Sequence, residues 1–96
     1  MTDRTLTIRR AGIADSGALA RLAALDSASL LDGDALVAQV GSEIWAAVEI
    51  DTGSAIADPF RPSADLVELL RFRAERVRAA ATRRRGRLAS LLPRAA

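Results

Sequence analysis

Cysteine, histidine, lysine, asparagine and tyrosine are all missing from this 96-residue chain. Without cysteine or histidine there is no disulfide framework, no thiolate nucleophile, no imidazole base and no zinc site of the Cys/His type. Ser16 and Ser90 lack a histidine to activate them, which dismisses nucleophilic catalysis of the Ser/His kind. No N-terminal segment joins a basic start to an apolar run, and no apolar run approaches the roughly 20 residues that span a bilayer. These absences predict a soluble, cytoplasmic protein with no transmembrane segment. The length predicts a single core, near the lower limit at which one supports itself without metals or disulfides.

What is present is alanine, leucine and arginine, the composition of a GC-rich genome, in which arginine stands for lysine throughout. The placement of charge says more than the formal net of +2. Residues 1–58 hold four arginines against nine acids, and residues 59–96 hold ten against three. That asymmetry marks a mildly acidic body, residues 1–80, carrying a basic C-terminal arm, residues 81–96.

Thr5 to Arg9 alternates Leu6 and Ile8 with Thr5, Thr7 and Arg9, the period of a half-buried strand. Asp15 is a helix N-cap, and the helix it opens runs to about Asp26 with Ala18, Leu22 and Leu25 on one stripe. It is expected on the apolar face of the sheet. Ser27 to Asp34 reads as loop. Leu36–Val40 and Ile44–Ile50 are two strands whose short connection, Gly41 to Glu43, forces an antiparallel hairpin. Alternation puts Ile44, Ala46, Val48 and Ile50 on one side of the second strand. A further turn at Asp51 to Gly53 leads to a short strand, Ala55–Asp58, then to Pro59, Phe60, Arg61, Pro62 and a long amphipathic helix opened by Ser63. From Ala64 to about Arg85, where Gly86 supplies a stop, it would be roughly 33 Å long and overhang a sheet of strands about 17 Å long. The predicted class is α+β: a four-stranded antiparallel sheet with packed helices, in the order β-α-β-β-β-α.

The strings TIRRAGIADSGALARLAALD, LVAQVGSEIWAAVEID and AIADPFRPSADLVELL, in that order over about residues 5–80, resemble the N-terminal half of the GNAT superfamily of acyl-CoA-dependent N-acetyltransferases. In that family the turn after the fourth strand holds the cofactor pyrophosphate on its backbone N–H groups, through Arg or Gln, two residues, Gly, one residue, then Gly or Ala. Arg61 matches the first position. Ala64 and Leu66 stand at the glycine and small-residue positions, and Pro62 lacks an N–H. Arg61, Ser63 and Ala64 are therefore the cofactor-binding candidates that the resemblance implies, on a degenerate loop. The family continues into a fifth strand and a helix that often carries a tyrosine acid, so the resemblance is to a truncated form. It implies a non-catalytic interaction or regulatory module without a cofactor. The enzymatic alternative is an N-acetyltransferase using acetyl-CoA and completed by a second subunit.

Arg61 is placed either to grip a phosphate or to pair with Asp58 or Asp65. Glu49 and Asp58, near strand ends, are candidate general bases with no partner group, and so read as ordinary surface carboxylates. Trp45 is placed to line a ligand cleft or to pack beneath the long helix. Leu66, Leu69, Leu70, Phe72 and Val77 form an apolar stripe wider than one small sheet buries, and the fourth strand has an open edge. Both features predict a homodimer or another protein partner. In the arm, Arg83, Arg84, Arg85 and Arg87, with Arg94 and the leucines Leu88, Leu91 and Leu92, suit nucleic-acid phosphates or an anionic surface. This makes a small binder of anionic polymers a third reading.

Overall fold

The computed structural model describes residues 5–91, so Leu92, Pro93 and Arg94 of the arm lie outside it. The elements are β1 (Leu6–Arg10), a single 3-10 turn (Ile13–Asp15), α1 (Ser16–Leu25), β2 (Ala35–Val40), β3 (Glu43–Glu49), β4 (Ala55–Ala57) and α2 (Ala64–Leu91). The strands form one antiparallel sheet in the order β1-β2-β3-β4. This is the α+β class that the sequence pattern predicts. The two tight connections use glycines in the left-handed region, Gly41 at φ 62° and Gly53 at φ 77°, where a side chain would collide with its own backbone.

Both faces of the sheet are covered. α1 lays Leu22 and Ala23 on Val37, Ala47 and Ile56. α2 lays Leu70 and Ala74 on Leu36, Ala38, Ala46, Val48 and Ile50, flanked by Leu66, Val67 and Val77. The expectation of a single apolar face is corrected here. Strands buried on both sides read as continuous apolar runs, which is why Ala35 to Ala38 and Ala46 to Val48 do not alternate. Alanines at the centre of the sheet, Ala38, Ala46 and Ala47, are wholly enclosed and let both helices approach closely. Burying Leu70 contributes roughly 2–3 kcal/mol.

Alternation also fails at one point in β3. Ala38 pairs with Ala46, but the next residue, Gln39, pairs with Ile44. Trp45 is the extra residue of a β-bulge, and the bulge rolls Ile44 onto the α1 side, where it packs beside Val37 and Ile56. An inserted residue shifts the parity of everything beyond it.

α2 continues through Gly86 to Leu91. One glycine costs a helix about 1 kcal/mol, too little to stop a run otherwise made of arginine, alanine and leucine. At 1.5 Å per residue the helix is about 42 Å long, and every residue from Thr82 to Ser90 is exposed. Body and arm are thus joined by uninterrupted helix.

Leu70→Ala is expected to lower unfolding free energy by about 3 kcal/mol, read as a shift in the urea midpoint at constant slope. Leu88→Ala, at a position 62% exposed, is expected to change it by less than about 0.5 kcal/mol.

Candidate functional site

The link between β4 and α2 is where a phosphate-holding turn would sit, and Asp58 organises it. Asp58 is only 7% exposed. Its N–H donates to the Trp45 carbonyl at 2.9 Å, extending the β3–β4 ladder by one rung. Its Oδ1 accepts the Phe60 N–H at 2.8 Å. Its carbonyl accepts the Arg61 N–H at 3.2 Å and the Ser63 hydroxyl at 3.0 Å. The Ser63 N–H in turn donates to the Arg61 carbonyl at 2.8 Å. Pro59 and Pro62 have no N–H. Every backbone donor from 59 to 63 is therefore absent or already used inside the turn. The reading of Asp58 as a surface carboxylate is corrected: it is a buried turn anchor, because an aspartate can cap the amide two residues on.

The side chains add to this closure. Both carboxylate oxygens of Glu43 lie 3.3 Å from Arg61 Nη2, and the guanidinium sits 5.2 Å from the Trp45 ring centroid. Arg61 is thereby drawn back over β3, to neither Asp58 nor Asp65. Ser63 starts the helix with its backbone, accepting the Val67 N–H at 3.0 Å, while its hydroxyl turns backward to Asp58. Asp65 places a negative charge in the first turn, where the helix dipole would otherwise favour an external anion. Ala64 is exposed and Leu66 is packed against the core. Outside the turn lies a shallow depression of about 310 Å³ lined by Pro59, Arg61, Pro62, Ser63, Ala64 and Asp65. Trp45 is half-buried at the bulge, and its indole N–H is enclosed with no hydrogen-bond partner among the described residues.

Glu49 is occupied too. It accepts the N–H groups of Asp32 and Gly33 at 2.9 and 3.0 Å and the Thr52 hydroxyl at 2.8 Å, tying the 27–34 loop to the β3–β4 turn. The Thr52 hydroxyl and these amides hold its carboxyl below the usual range. A second network escaped the sequence reading. Arg9 makes a two-pronged pair with Asp15 at 2.7 and 2.9 Å and also donates to Gln39 Oε1 at 2.9 Å. Asp15 accepts the Gly12 N–H at 2.7 Å and does not cap α1 with its side chain. The Arg9 hydrogen bonds, then the Gly12 amide, push the Asp15 carboxyl well below the ordinary carboxylate range. The alternation of β1 was legible, but which carboxylate Arg9 meets depends on the return of the chain at Gly12.

Leu70 lies inside the chain's own core, Leu66 and Val77 pack against that core, and Leu69 is half-buried. Phe72 is 55% exposed, with the Arg76 guanidinium 5.8 Å from its ring centroid. Arg83, Arg84, Arg85 and Arg87 are exposed on the overhanging end of α2. The β4 edge is partly plugged, since Asp26 Oδ2 accepts the Ala57 N–H at 3.0 Å.

Among the described residues there is no group of His, Cys, Asp or Glu suited to a metal, and no helix long and apolar enough to cross a membrane. Comparison with protein-family models, with curated proteins and with solved structures finds no match to this chain.

Asp15 and Glu49 both titrate lower in the folded chain than in the unfolded one. Their contribution to stability is complete above the unfolded value of about 4 and is lost as pH falls through the lower folded values. The melting temperature is expected to hold between about pH 5 and 7 and to fall below about pH 4. The double variant Asp15→Asn, Glu49→Gln should show a shallower acid limb; an unchanged limb would place the acid-sensitive groups elsewhere.

Proposed function

We propose that this domain is a non-catalytic interaction or regulatory module on a scaffold resembling the N-terminal half of a GNAT acetyltransferase, and that acetyl-CoA is not its ligand. The observation that carries this reading is the hydrogen-bond accounting of the turn from Asp58 to Ser63. A cofactor pyrophosphate needs several free N–H groups and an unengaged cation. This turn offers two prolines, three amides spent internally, and an arginine held by Glu43 and Trp45. The turn from Asp58 to Ser63 does not fit the group, and Asp65 sets a negative charge beside the helix amides that follow it. The two carboxylates near the strand ends support the same reading, since Asp58 Oδ1 accepts the Phe60 amide, Glu49 Oε2 accepts the Asp32 and Gly33 amides, and Glu49 Oε1 accepts the Thr52 hydroxyl. A side chain already engaged on that scale is poorly placed to take a proton from a substrate amine.

Acetyl-CoA added across a wide concentration range is expected to leave the thermal midpoint unmoved. A ligand present at 100 times its dissociation constant would add about 2.7 kcal/mol, a shift easily seen for a domain this small. A concentration-dependent rise that disappears in Arg61→Ala would sink the proposal and restore the enzyme completed by a second subunit.

A further inference from the structure

Arginines on the two flanks of α2 are engaged differently where they lie over the sheet. On the flank toward the β3–β4 turn, Arg71 donates to the Gly53 carbonyl at 3.0 Å and Arg78 donates to the Ile50 carbonyl. On the flank toward β1, Arg73 and Arg83 make no hydrogen bond or ion pair with any described residue, and Arg76 makes none either, its guanidinium lying over the Phe72 ring. These three line an open groove of about 560 Å³ whose floor is Ile8, Leu36, Val77 and Ala80. Among the described residues no carboxylate lines it.

The far bank of this groove is the open edge of β1. The Gly41 N–H donates to the Thr5 carbonyl and the Ala11 N–H to the Ala35 carbonyl. The odd-numbered residues of β1 therefore address β2. By the alternation of an antiparallel ladder, Leu6, Ile8 and Arg10 turn their N–H and carbonyl groups outward. Among the described residues no strand pairs with that edge. The same parity puts the side chains of these outward-bonding residues on the α2 face, as the packing of Ile8 against the α2 core shows.

We propose that an acidic, extended segment of a partner protein adds to β1 as a fifth strand and directs alternate carboxylates into this groove, against Arg73, Arg76 and Arg83. Main-chain hydrogen bonds to Leu6, Ile8 and Arg10 supply affinity, and the arginines select the side chains. Recognition of this kind, a strand laid between a sheet edge and a helix, follows from ladder geometry. Directly paired strands bring side chains on one face within about 5 Å of each other, so every second residue of the incoming strand lies beside Ile8 and under the arginines. Charge rejects the most available alternative, a second copy of this chain. Two-fold pairing of β1 with β1 would bring both sets of arginines to the same face of one seam, where like charges repel. The proposal rests on reading the domain as an interaction module and gives that module a surface and a partner chemistry.

The test uses a fluorescein-labelled octapeptide alternating Glu and Thr, titrated with the whole chain and followed by anisotropy. Saturable binding is expected that weakens with salt, with amide NMR shifts at Leu6 and Ile8. The double variant Arg76→Glu, Arg83→Glu, altered only at exposed positions, should lose roughly tenfold or more in affinity. Methylating the peptide's own backbone nitrogens at alternate positions should abolish binding without touching the protein. Equal binding of the methylated peptide would overturn strand addition, as would no binding of the parent peptide at millimolar concentration. Tighter binding of a single-stranded oligonucleotide that displaces the peptide would overturn the choice of partner. Acetyl-CoA titrated in the same buffer separates the two readings: its binding would end the non-catalytic one and leave peptide binding at β1 standing or falling by its own result.

Discussion

Asp58 is the constraint on which the rest of the domain depends. One buried residue closes the last rung of the sheet, caps the following turn with its carboxylate and receives the hydroxyl of the residue that starts α2. These bonds fix the angle at which the long helix leaves the sheet. Only at that angle do Leu70 and Ala74 fall on the alanine-rich centre of β2 and β3. The same turn consumes the amides of Phe60, Arg61 and Ser63, so the stability of the helix entry and the narrowing of any anion cradle have one physical origin.

The sheet centre sets the second condition. Alanines at 38, 46 and 47 offer little apolar area of their own, and the domain compensates by covering them from both sides. The apolar faces of both helices are thus used in part by the sheet, with Leu70 and Ala74 enclosed and Phe72 left 55% exposed. Among the described residues, what stays unpaired lies at the margins: the outward groups of β1, the exposed Leu6, and the arginines beside them. The β4 edge is treated differently, with Asp26 seated on its Ala57 amide, a usual way of blunting an edge strand with a charge. One edge is blocked by a carboxylate and the other is bordered by cations, which makes the two ends of the sheet chemically distinct.

The interaction module proposed above would bind through this periphery. Its carboxylates nearest the strand ends are engaged by backbone amides, and its best-placed arginine is stacked on Trp45. Groups committed in this way hold the fold, and in the proposal recognition falls to Arg73, Arg76 and Arg83 of α2.

Local patterns in the sequence determined the element types, the hairpin glycines, the amphipathic character of α2 and the imbalance of charge between body and arm. These depend on spacing within a few residues, where periodicity and turn chemistry act directly. Other features rest on groups distant in the chain and were decided only in three dimensions. Arg61 met Glu43, eighteen residues away, where its chain neighbours Asp58 and Asp65 were the expected partners. Asp15 served Arg9 and Gly12 where a cap on α1 was expected, and the Trp45 bulge moved Ile44 to the opposite face. The groove beside β1 was in principle legible in part: Arg73, Arg76 and Arg83 recur at helical spacing, and Ile8 and Leu6 alternate. That the two patterns face each other across an open edge follows from strand parity and the docking of α2, which no local window contains.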